Sequence, residues 1–253
     1  MTSPFAANRR QFLVATSSAF AALVASGCST RGVVPGNAAG FAGYGALLPD
    51  PAGLLDLPEG FSYRVLSSMG EPMADGFTVP DRADGMGCFD LGNGKLALVR
   101  NHELSPQHGA GGDLPHGFRR GSNGAVLPGG TTTLVLDART LRVERQYRSL
   151  AGTVRNCAGG ITPWNSWLTC EEPMFERVAE VKAAHGWVFE VPADADRLVD
   201  AVPIKAMGRF NHEAACVDPA TGIVYMTEDM QDGLFYRYIP NIPGRLAEGG
   251  RLQ

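Results

Sequence analysis

The run Asn156-Cys157-Ala158-Gly159-Gly160-Ile161-Thr162-Pro163-Trp164-Asn165-Ser166-Trp167-Leu168-Thr169-Cys170-Glu171-Glu172 gathers more reactive side chains than any other stretch of the chain. Deprotonated, Cys157 would be a soft metal ligand, while Glu171 and Glu172 would add hard carboxylate oxygens. Glycines directly after Cys157 let the backbone approach a ligand closely, and Thr162-Pro163-Trp164 makes a rigid turn into a strand that delivers the two acids. A single cysteine is more often a buried packing residue, and paired acids are more often simply solvated. The metal reading therefore needs further acids that converge on the same place.

Other strand ends supply them. Asn101-His102-Glu103 closes one apolar run, Asn211-His212-Glu213 repeats the triplet, and Tyr225-Met226-Thr227 leads into Glu228 and Asp229. Like charges gather only where cations offset their repulsion, so convergence of these acids would itself indicate a site. His102 and His212 each adjoin a candidate glutamate, and both read as packed or supporting histidines rather than direct ligands.

The elements that must hold these residues are short. Apolar runs at 62–66, 95–100, 131–136, 143–147, 166–169, 187–191, 223–227 and 234–238 are four to six residues long and bounded by turn signals. Those signals include Gly92-Asn93-Gly94, Asp137-Ala138-Arg139-Thr140 and Asp218-Pro219-Ala220-Thr221-Gly222. Only 172–184 reads as a helix, so the fold class is all-β. Acids at the ends of separate strands favour a β-propeller, which aims its innermost strand ends at a central channel, over a sandwich, which scatters them.

The N-terminus carries Arg9-Arg10-Gln11-Phe12-Leu13 and then a short apolar stretch to Val24, broken by Thr16, Ser17 and Ser18. That is the layout of a twin-arginine signal peptide over residues 1–28, too short and too rich in Ser and Ala to span about 30 Å of hydrocarbon. The expected partner is the twin-arginine translocase, which exports folded proteins, and the expected location is the periplasm or outside the cell. Cys28 ends the leader after Ala25-Ser26-Gly27 and offers a lipid-anchor site, the one membrane attachment expected. Residues 29–60, rich in Gly, Ala and Pro, read as a linker and lead-in, and 61–253 as the propeller portion. A net charge of −4 leaves no basic footprint for nucleic acid. The cysteines beyond Cys28 are Cys88, Cys157, Cys170 and Cys216, with no CxxC pair, which argues against a disulfide scaffold.

Taken together, the Cys157 run, Asn101-His102-Glu103 upstream, and Gly208-Arg209-Phe210-Asn211-His212-Glu213 with Tyr225-Met226-Thr227-Glu228-Asp229 downstream resemble the PhoX family of secreted alkaline phosphatases. The resemblance implies a six-bladed propeller whose iron and calcium ions hydrolyse small phosphate monoesters. By motif, Cys157 and Glu213 match iron ligands, Glu172 adds a carboxylate, and Glu103, Glu171, Glu228 and Asp229 are candidates for calcium or bridging positions. About 225 residues follow the leader, and at roughly 40–50 residues per blade they fill about half to two-thirds of such a ring. The expectation is an incomplete propeller that lacks the family's phosphate-contacting arginine and later acidic ligands, with little turnover of its own. Two alternatives stand beside this: a calcium-dependent lactonase-type propeller enzyme, which has little use for the thiolate, and a non-catalytic calcium-stabilised binding propeller.

Overall fold

The computed structural model describes residues 43–109, 111, 112, 114, 116–172 and 184–253. The leader, Cys28 and all but the two ends of the segment read as a helix lie outside the described residues. No described helix is long and apolar enough to cross a membrane.

Two compact units divide the chain, Met1–Tyr63 and Arg64–Gln253. In the described part of the first, β1 (Leu47–Leu48) pairs antiparallel with β2 (Leu57–Pro58). Asp50 organises the loop between them: its carboxylate accepts the amides of Ala52, Leu54 and Leu55 and the Tyr63 hydroxyl at 2.5–3.1 Å. That Tyr63 bond, followed by the amide bonds, holds the Asp50 carboxyl well below its ordinary range.

The second unit is a succession of three antiparallel sheets, each with its strands in chain order. Sheet I holds β3 (Ala83–Gly92), β4 (Lys95–His102), β5 (Gly129–Asp137) and β6 (Val143–Thr153). Sheet II holds β7 (Asn156–Ile161), β8 (Ser166–Glu171) and β9 (Val188–Pro192). Sheet III holds β10 (His212–Val217), β11 (Val224–Glu228), β12 (Phe235–Pro240) and β13 (Gly250–Leu252). The all-β expectation holds. Turn chemistry explains the tight connections. Asn93 and Gly94 both have positive φ, 51° and 72°, as a two-residue hairpin loop requires. Asp218 accepts the Ala220 amide and the Thr221 hydroxyl across the β10–β11 turn.

Seven of the eight apolar runs fall within or against strands, and 62–66 does not. The element count errs on the other side too. β3, β7 and β10, the first strand of every sheet in this unit, carry no β-branched or aromatic run, so their residues do not mark them as strands. They are instead the strands on which the sheets meet, for β7 packs against both β3 and β10.

Two hydrophobic layers fix that arrangement. Phe89, Val99 and Leu150 of sheet I pack with Trp167, Phe189 and Val191 of sheet II. On the other face, Leu168, Cys170 and Val188 pack with Ala215, Val217, Val224, Met226 and Tyr238 of sheet III. Covered on both faces, β8 is buried at every position from Ser166 to Glu171, and each such large side chain contributes about 1.5–3 kcal/mol of transfer free energy.

Candidate metal centre

Three β-bulges place the reactive side chains. In each sheet the first residue of the first strand pairs with the last residue of the second: Ala83 with His102, Asn156 with Glu171, His212 with Glu228. The register then slips before pairing resumes at Met86, Gly159 and Ala215. A bulge kinks the strand and re-aims the residue inside it. The residues re-aimed here are Asp84, Cys157 and Glu213. The residues that leave the second strands at the same level are Glu103, Glu172 and Asp229.

Buried hydrogen bonds pin the central bulge. The Asn101 amide donates to the carbonyls of Cys157 and Ala158 at 2.9 and 2.8 Å. Its carbonyl accepts from Trp167 Nε1 and the Thr169 hydroxyl at 2.9 and 2.8 Å. Asn101 and the run around Cys157 are therefore one structural device. The two Asn-His-Glu triplets, however, are not equivalent in the fold. The first ends β4 and the second opens β10.

The glycines after Cys157 also serve packing rather than a ligand. A Cβ on Gly159 would lie 1.9 Å from the Leu168 carbonyl oxygen, and one on Gly160 would lie 1.9 Å from that of Ala215. These positions let β7 sit directly against β8 and β10.

At the centre, one donor atom each from Cys157, Glu172 and Glu213 lies within 4.8 Å of the others, the one such group among the described residues. The Cys157 thiol lies 3.5 Å from Glu213 Oε1 and 3.7 Å from Asp84 Oδ1. Glu172 is 2% exposed. Its Oε2 accepts from Arg155 Nη2 at 2.8 Å, and its Oε1 is buried without a partner. The same Arg155 nitrogen lies 3.0 Å from Glu103 Oε1. Asp84 and Arg155 escaped sequence reasoning. The available signal was an acid or thiol followed by a small residue where a strand opens: Asp84-Gly85, Cys157-Ala158, Glu213-Ala214.

Electrostatics favour the protonated forms of this cluster. Burial first, then the negative charges of Glu213, Asp84 and Glu172, push the Cys157 thiol upward. Burial first, and the nearby Glu213 carboxylate, push Glu172 up to about 8, against the pull of Arg155. Without a cation the cluster keeps protons it would otherwise lose, and an added cation would displace them.

The other expected site residues lie elsewhere. Glu171 Oε1 accepts from the Val154 amide and His185 Nδ1, and Oε2 from the amides of Gly186 and Trp187. Both oxygens are consumed in holding Val154 before β7 and the chain from His185 to Trp187 before β9, so Glu171 stands outside the cluster. Glu228 Oε2 accepts the Leu234 amide and the Tyr236 hydroxyl. Asp229 is exposed and, like Glu228, is not a member of the group. His102 bonds the Asp81 carbonyl and the Thr132 hydroxyl. His212 bonds the Gly208 carbonyl and stacks on Phe210 at 3.6 Å. Burial lowers both histidines to about 4, so they remain neutral packing groups at ordinary pH.

The family profile described as alkaline phosphatase PhoX matches residues 42–141 and 125–253, which together span every described strand. The chain belongs to the PhoX family. No curated protein matches it. Within a PhoX chain, all three residues of the central cluster fall inside the second match, and Asp84 and Glu103 inside the first.

Proposed function

We propose that this chain builds the metal site of a metal-dependent phosphate monoester hydrolase of the cell envelope, with Asp84, Cys157, Glu172 and Glu213 as the donor set. The observation that carries this is the convergence of Cys157, Glu172 and Glu213, drawn from two sheets and a post-strand loop, around a buried Glu172 oxygen with no protein partner. A single thiolate among carboxylates suits iron better than calcium alone, while the neighbouring carboxylate oxygens, those of Asp84 among them, suit calcium. Such cations, when bound, neutralise phosphoryl oxygens and act as Lewis acids.

The chain's own residues prepare for that role. Asn101 fixes the Cys157 backbone, so the thiol is presented without rearrangement. Arg155 holds one oxygen of Glu172 and leaves the other free. The bulges aim Asp84, Cys157 and Glu213 to one side of three adjoining strands.

The architecture we propose is a β-propeller. Three consecutive antiparallel sheets whose first strands adjoin are three of its blades, and the reactive residues sit where a central channel would open. Export by the twin-arginine route, read from Arg9 and Arg10, belongs to the same proposal.

The test is metal analysis and p-nitrophenyl phosphate hydrolysis in the full gene product, with iron and calcium supplied. Cys157→Ala is expected to remove bound iron and lower turnover together by at least about a hundredfold, the scale of losing a main electrostatic contribution to the transition state. Full iron content or unchanged turnover in that variant would refute the assignment.

A further inference from the structure

Arg155 sits beside the cluster in an unusual conformation. Its φ is +48°, in the left-handed region that a side-chain-bearing residue seldom adopts. Its main chain is tied at both ends: its amide donates to the Leu104 carbonyl at 2.9 Å, and its carbonyl accepts the Glu172 amide at 3.1 Å. These bonds link the ends of β4 and β8 to the residue just before β7. They do not use the side chain. The guanidinium makes a separate set of contacts, with one nitrogen serving both Glu103 Oε1 and Glu172 Oε2.

We propose that Arg155 is a positioning residue of the metal site: it draws Glu103 aside, fixes the Glu172 carboxylate by one oxygen, and so presents the other oxygen to the ion. The inference rests on the metal reading above. Its physical content is a conflict of signs. As a nearby positive charge, Arg155 repels a cation, and deleting it should tighten binding if charge were its whole role. As a clamp, it removes rotamer freedom from a ligand, and deleting it should weaken binding, as loss of outer partners of ligands weakens metal sites by about 10- to 100-fold. The buried geometry favours the clamp, because Glu172 has no other hydrogen-bond donor on its side chain among the described residues and its second oxygen is already orphaned.

The experiment compares iron affinity by equilibrium dialysis in the wild type, Arg155→Met and Arg155→Lys, with folding followed by circular dichroism. Arg155→Met keeps the tied main chain and much of the stem, so it is expected to fold and to bind iron about 10- to 100-fold more weakly. Arg155→Lys keeps the charge without the planar donor set and is expected to weaken binding by at least about threefold. Unchanged or tighter binding in Arg155→Met overturns the inference. Should Arg155→Met fail to fold, Arg155→Lys decides: affinity within threefold of wild type, or tighter, overturns it. A wild-type protein that takes up no iron overturns the metal reading itself, a result distinct from iron-binding wild type with unaffected variants.

Discussion

Glu172 is the residue on which the site turns, and its protonation gives a direct handle. Its ordinary value of 4.5 is raised in the folded protein to about 8, with burial the largest cause. A raised acid stabilises the fold fully below pH 4.5 and loses that contribution as pH climbs through 8. His102 and His212 act oppositely, lowered from 6.5 to about 4, so their contribution is complete above pH 6.5 and is lost as pH falls. Between pH 6.5 and 8 only Glu172 is titrating among these groups. Metal-free protein is therefore expected to melt at progressively lower temperature across that window, and saturating cation should flatten the slope by replacing the proton. A melting temperature that does not fall from pH 6.5 to 8 without metal would contradict the placement of Glu172 in a buried acidic cluster. Cys157, Glu172 and Glu213 were legible as candidates through the family resemblance, because a lone thiol and paired acids taken alone read more often as packed or solvated groups. Glu171 was not separable from Glu172, because the two acids adjoin at the strand end and only the three-dimensional donors around Glu171 reveal its structural role.

At the level of elements, the later strands of each sheet announced themselves and the first strands did not. Runs such as Leu134-Val135-Leu136 and Trp167-Leu168 bury large side chains between or within sheets, and a periodicity search finds them. β7 reads Asn-Cys-Ala-Gly-Gly-Ile because neighbouring strands leave no room for more: an added Cβ at Gly160 meets the Ala215 carbonyl of β10, and one at Gly85 meets the Cys157 carbonyl of β7 at 2.8 Å. Small residues at the centre and reactive residues in the bulges together erase the strand pattern. Gly160→Ala must therefore push β7 and β10 apart. The expected cost is about 3 kcal/mol, which lowers the melting temperature by roughly 6–12 °C. A thermal melt indistinguishable from wild type would show that the contact between these strands is not close.

For the whole molecule, three sheets in chain order create one convergence that no single sheet holds. Each contributes a bulge residue, Asp84, Cys157 or Glu213, and the Arg155 guanidinium beside them bonds Glu103 and Glu172. The net charge of −4 and the absence of a basic patch in the sequence agree with a site that attracts cations. All-β class and family were readable from the chain, whereas the equivalence of the three bulges depends on register, which spacing alone does not specify. Membership of the PhoX family gives the chain an alkaline-phosphatase-like relationship at family level, and the phosphate ester chemistry proposed for this geometry builds on that. The most direct test is crystallographic: iron-loaded protein, with diffraction recorded above and below the iron absorption edge. The account predicts an anomalous peak bonded to Cys157 Sγ at about 2.3 Å, the length usual for a metal–thiolate bond, with carboxylate oxygens of Glu172 and Glu213 in the same coordination sphere. An iron peak elsewhere, with Cys157, Glu172 and Glu213 unligated, would contradict it.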